Sequence, residues 1–224
     1  MPQYRTNVLE HNLFPREKKY AKVNIMNYVA IGVLGFLVAY IFDVFSLKRM
    51  PRAKQGAGIV AVGLIGYATL MVCLKSERLG IPVGLIWLGW ALLFISALLL
   101  IYSLFINLPF RKTYVMSSAG DELIRTRTYA LVRHPGVIWY ALLLISLIFV
   151  SQSKWLLLAS PIWFLIDVLH VIIQDKFFFG KMFADYEDYR RETPMLIPNR
   201  KSITVCLRTL RQPRVQSAVQ EERW

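Results

Sequence analysis

The chain has 224 residues, of which 56% are hydrophobic and 18% charged, and its formal net charge is +13. Soluble domains carry about a quarter charged residues, so this balance excludes an ordinary soluble domain and points to a membrane protein. The positive charge does not read as a nucleic-acid surface, because the basic residues flank apolar runs instead of forming one stripe interleaved with exposed aromatics.

Residues 1–25 form a polar N-terminal tail (Arg5, Glu10, Arg16, Glu17, Lys18, Lys19). No cleavable signal peptide is expected, since the apolar run that follows is too long and lacks a small-residue cleavage pattern. Residues 26–45, 56–74 and 83–108 are each long enough to cross a hydrocarbon core, which takes roughly 20 helical residues. The stretch 26–110 therefore reads as a three-helix membrane scaffold. Gly32, Gly35, Gly56, Gly58, Gly63 and Gly66 are available there for close helix contact, and Asp43 reads as an interfacial residue. The two cysteines, Cys73 and Cys206, lie far apart, and the histidines His11, His134 and His170 have no ligand spacing. No metal site and no disulfide framework is expected.

Residues 111–198 hold most of the chemically interesting side chains. An apolar run at 136–150, shorter than the others, and another at 154–173 bring the expected crossings to five. Only residues 151–154 separate these two runs, so they should form a tight antiparallel hairpin. Its two ends then return to one side, bringing Arg133 and His134 near Gln174 and Asp175. Pro135 suits the first turn of a helix, where its missing N–H is no loss. Asp167, His170 and Gln174 stand at i, i+3 and i+7 on one helix face. An ionisable residue there costs roughly 2.5–3.5 kcal/mol on insertion scales, so this face should meet protein or a water-filled cavity. A mutually satisfied Asp167–His170 pair is the plainest structural reading.

From residue 174 runs QDKFFFGKMFADYEDYRRETPMLIP. Its spacing of Phe179, Phe183 and Tyr186 predicts an amphipathic helix lying on the membrane, ended by Pro194 and Pro198. The same aromatics would serve as the lining of a cofactor pocket. Residues 199–224 form a basic tail expected to be solvated and to touch anionic lipid head groups, each charge worth about 1 kcal/mol near the surface. Lysine and arginine asymmetry puts this tail and the 111–133 loop in the cytoplasm. The fold class expected is thus all-α: a polytopic membrane protein with about five transmembrane helices and an amphipathic helix at the cytoplasmic face.

YALVRHPG, then an apolar hairpin, a polar pair and ADYEDYRRETPMLIP resembles the integral membrane methyltransferases. These include the isoprenylcysteine carboxyl methyltransferases and the phospholipid N-methyltransferases. Tyr129, Arg133, His134 and Pro135 match the family's first motif; Tyr186, Tyr189, Pro194 and Pro198 match its last. Gln174-Asp175 stands where the family carries Glu-Glu. The match covers about the C-terminal two fifths of the chain. It implies S-adenosylmethionine as methyl donor and a lipidic or other hydrophobic acceptor, in a bacterial inner membrane or one like that of the endoplasmic reticulum. It gives Arg133 and Asp175 the catalytic positions. Arg133 and His134 are implied as partners of the donor's carboxylate, Gln174 and Asp175 as acceptors, and Tyr129, Tyr186 and Tyr189 as the enclosure of the adenosyl group. A nicotinamide-dependent membrane lipid reductase and a non-catalytic membrane subunit are the other readings open at this point.

Overall fold

The computed structural model describes the backbone of residues 4–108 and 123–211, with side chains from residue 25 onward. Among the described residues there are helices and no strand. Helix α1 runs Tyr4–Leu47, α2 Pro51–Lys75, α3 Val83–Ile101, α4 Thr128–Leu131 and α5 Pro135–Ser151. Helix α6 (Lys154–Ile173) continues through a π-helical turn, Gln174–Phe178, into α7 (Phe179–Met182), and α8 (Tyr186–Glu192) and α9 (Arg200–Leu210) follow.

Four spans are long and apolar enough to cross a membrane: Ile25–Leu47, Pro51–Lys75, Val83–Asn107 and Lys154–Met182. Their outward faces carry large apolar side chains, such as Ile59 (74% exposed), Trp87 (71%) and Leu165 (64%). So much exposed apolar surface is ruinous in water and ordinary against hydrocarbon. The chain is a membrane protein. Helix α5, 17 residues long, is apolar but falls short of that length.

The helices pack in the order α2, α1, α6, α5, α3, whereas α2 and α3 scarcely touch. Phe36, Ala68, Val72, Leu144, Leu156, Ala159 and Trp163 form the central core. The glycines divide. A Cβ on Gly32 would sit 2.5–2.7 Å from the Trp163 indole, one on Gly35 2.6 Å from Ile65, and one on Gly58 3.2 Å from Phe42. Gly56, Gly63 and Gly66 have nothing within 4 Å. Close helix contact is thus the work of three of the six expected positions.

The α5–α6 hairpin is present. Gln152 turns the chain in a left-handed conformation (φ 55°), and Ser153 caps α6 by accepting from Leu156 N. Ser153 Oγ also donates to Val72 O (3.0 Å), and Lys154 N donates to Glu77 O (3.1 Å), tying the turn to the end of α2. At the other end, Arg133 N donates to Pro194 O (2.9 Å) and His134 N to Met195 O (3.2 Å). The two halves of the sequence motif therefore lie backbone to backbone.

Three expectations need revision. The polar segment 1–25 is not a separate tail in its backbone, because α1 is helical from Tyr4. The helix expected after residue 174 is broken into a π-helical turn, α7 and α8, as Phe183 takes an extended conformation (φ −123°, ψ 123°) between them. The start of the basic tail is not a solvated strand of chain. Asn199 and Ser202 make reciprocal capping bonds that open α9, which packs on α4 with Ser202 and Cys206 buried. The 111–133 loop is described only from Leu123, and its earlier part and residues 212–224 lie outside the described residues.

Candidate functional site

Helix α5 can begin where it does because Pro135 occupies its first position, leaving His134 as the preceding residue and Arg133 just outside. That places both side chains at the end of the bundle where the π-helical turn presents Asp175. Asp175 is 6% exposed and Arg133 9%. The Arg133 Nη2 donates to Asp175 Oδ2 (3.1 Å), and Nε lies 2.9 Å from Oδ1 without the alignment of a hydrogen bond. Arg133 Nη1 donates to Arg190 O (2.8 Å) and Thr193 O (3.0 Å).

Tyr186 donates its hydroxyl to Asp175 Oδ1 in a short hydrogen bond. Arg190 Nε stands 3.6 Å from Oδ2 and is about half exposed. A buried carboxylate is tolerable only when paired and hydrogen-bonded, and Asp175 has both. The Tyr189 hydroxyl donates to Tyr129 O (2.6 Å), fixing α8 against α4. Burial pushes the phenols of Tyr186 and Tyr189 well above their ordinary range, and Asp175 pushes Tyr186 further in the same direction.

His134 stacks on Phe179 (5.6 Å between centroids, 15° between planes). Its Nε2 is buried, 3.5 Å from Asp175 Oδ1, at the limit of a hydrogen bond and with no other partner. Burial holds this imidazole below its ordinary pKa, outweighing the opposite pull of Asp175. Phe179 and Phe183 pack on Tyr186, which in turn packs on Tyr189 at 6.0 Å. The aromatics read as one face of a surface helix instead make a wall of mostly edge-to-face rings.

Gln174 and Asp175 are consecutive, yet they serve two different clusters. Gln174 Nε2 donates to Asp43 Oδ2 (2.9 Å), which also lies 2.6 Å from His170 Nε2. Neighbouring residues on a helix point about 100° apart, so the π-helical turn sends one side chain to α1 and the other to Arg133. The expected Asp167–His170 pair is therefore replaced by an Asp43–His170 pair across helices. Asp43 is not interfacial in the ordinary sense, being only 5% exposed.

Beside these clusters lies a cavity of about 1020 Å³. Tyr129, Arg133, His134, Pro135, Tyr186 and Tyr189 line one end, and Gln174 and His170 line it nearby. At the far end it reaches Cys73 and Leu74 on α2 and Val150 on α5. Helices α2 and α3 both line it and scarcely touch each other.

All eight sequence-predicted site residues thus line this cavity or, for Asp175, brace its end. Sequence reasoning missed Arg190 and Thr193, and did not anticipate that Asp43 partners His170 and Gln174. Asp43 carried the same signal as Asp167, an acid inside an apolar run. Compared with known proteins, the chain matches no family model, no curated protein and no solved structure.

Proposed function

We propose that the chain is a membrane-embedded methyltransferase that uses S-adenosylmethionine and a lipidic or other hydrophobic acceptor. The observation that carries this reading is the Arg133–Asp175–Tyr186 cluster at one end of a largely apolar cavity lined by membrane-length helices. We further read α5 as a fifth crossing, α7–α8 as lying along the membrane surface, and the cluster as facing the cytoplasm, in line with the lysine and arginine asymmetry.

The donor set fits the group it would hold. His134 Nε2 is a buried polar atom short of partners, and Arg190 presents a half-exposed cation beside it. Phe179, Phe183, Tyr186 and Tyr189 offer flat apolar walls to an adenine. S-adenosylmethionine, when bound, supplies a methyl group on a positively charged sulfur. The protein's part is alignment and exclusion of water while that charge is lost. Arg133 acts here as a brace: its fork is engaged by Asp175 and two carbonyls, so it fixes the carboxylate and the chain at Thr193. Arg190 and His134 are the groups left to meet the donor's carboxylate. A polar donor arrives at the cluster end and an acceptor between α2 and α3, so the two meet at the interface.

Equilibrium binding of S-adenosylmethionine and of NADPH to the purified protein in detergent tests the reading. Saturable binding of the former alone is expected. Binding of NADPH alone would mean a reductase, and binding of neither a non-catalytic subunit.

A further inference from the structure

Two polar side chains in the cavity take no part in the clusters above. Tyr140 on α5 and Asp167 on α6 both line it, about two helical turns deeper than the Arg133–Asp175 cluster. Tyr140 Oη is enclosed and has no hydrogen-bond partner among the described residues. Asp167 has no hydrogen-bond or ion-pair partner among the described residues; the one charge acting on it is His170, one turn along the same helix. His170 is itself held by Asp43. Lys54 of α2, which also lines the cavity, has its ammonium over the Phe42 ring at 5.4 Å. Tyr140 stands twelve residues before Gln152 and Asp167 fourteen after Ser153, so the antiparallel α5–α6 hairpin brings both to about the same depth in the cavity, where they form one locus.

A carboxylate among apolar groups with no partner is expensive, and so is an enclosed phenol with an unmade bond. One ligand group can relieve both. A primary ammonium carries three N–H donors, enough for both carboxylate oxygens and the phenol oxygen, and its charge offsets that of Asp167. A ligand hydroxyl has a single donor and leaves the charge uncompensated. A carboxylate or phosphate would be repelled by Asp167 and by Asp43 beyond it. Past this locus the lining is apolar along Leu143, Leu147 and Val150 of α5 and Leu70 and Leu74 of α2, a bed for a hydrocarbon chain.

We infer that Asp167 and Tyr140 form a binding site for the ammonium head of a long-chain amphiphile, whose tail lies along α5. The site stands on the cavity and its two unpartnered groups and does not depend on methyl transfer.

The probes are dodecylammonium and 1-dodecanol, titrated into the purified full chain in one detergent with tryptophan fluorescence as readout and empty micelles as the partition control. The wild-type protein should bind dodecylammonium at least ~10-fold more tightly than the alcohol, as expected for a hydrogen bond between charged groups. Asp167→Asn should remove that preference and leave dodecanol binding within about twofold, and Tyr140→Phe should weaken the ammonium alone. No preference in the wild type, or one that survives Asp167→Asn, overturns the proposal. Should Asp167→Asn not fold, the wild-type preference and Tyr140→Phe decide. The binding of S-adenosylmethionine, measured on the same samples, separates the two readings: its absence sinks methyl transfer and leaves this site standing.

Discussion

At the scale of single residues the site is a matter of who holds Asp175. Arg133 grips it with one nitrogen and the backbone with another, Tyr186 donates to it, and Arg190 stands by. His134 completes the ring and is the group whose charge state changes near neutral pH. Its pKa is lower in the folded protein than its ordinary 6.5, because burial penalises the imidazolium. The unfolded chain therefore binds more protons below that value, and stability is lost as pH falls from about 6.5 toward the folded pKa. Thermal unfolding in detergent should show a midpoint that drops more steeply with acidification in the wild type than in His134→Gln. Parallel curves for the two would mean that His134 is not buried neutral beside Asp175.

At the scale of elements, packing depends on a few glycines, and they were only half legible. A helical sequence shows where its glycines stand without showing which face meets a neighbour. Gly32 meets one: Trp163 is fully buried against it, with its indole donating to Val29 O at 3.1 Å. Gly63 meets nothing within 4 Å. Gly32→Ala must push the indole aside, at a cost of about 1–3 kcal/mol, while Gly63→Ala should be neutral or slightly stabilising through helix propensity. The unfolding temperatures of the two variants should therefore move in different directions, and equal shifts would contradict the α1–α6 contact. The hairpin was legible because a connection so short permits no other geometry. The break of the surface helix at Phe183 was not, since the aromatics repeat at helical spacing through it. The Asp43–His170 pair was not legible either, because a pairing 127 residues apart leaves no mark in local periodicity.

At the scale of the whole molecule, the four membrane-length helices and the convergence of Arg133 with Asp175 follow from hydropathy and one short turn. The weak contact between α2 and α3 does not, as it depends on which helices fail to pack. Together they define a chamber with a charged, aromatic end and apolar walls, which suits a reaction between a polar donor and an oily acceptor. Asp175 is where that account is most exposed. The most direct measurement is transfer of a radiolabelled methyl group from S-adenosylmethionine into organic-soluble product, with the protein reconstituted in a total lipid extract. The wild type should label the organic phase, and Asp175→Asn should lower that labelling about ten- to a hundredfold by loosening Arg133 and Tyr186, which it holds at the donor end, the worth of a hydrogen bond to a charged group. A correctly inserted Asp175→Asn protein that transfers methyl groups as fast as the wild type, or a wild type that leaves the organic phase unlabelled, would contradict it.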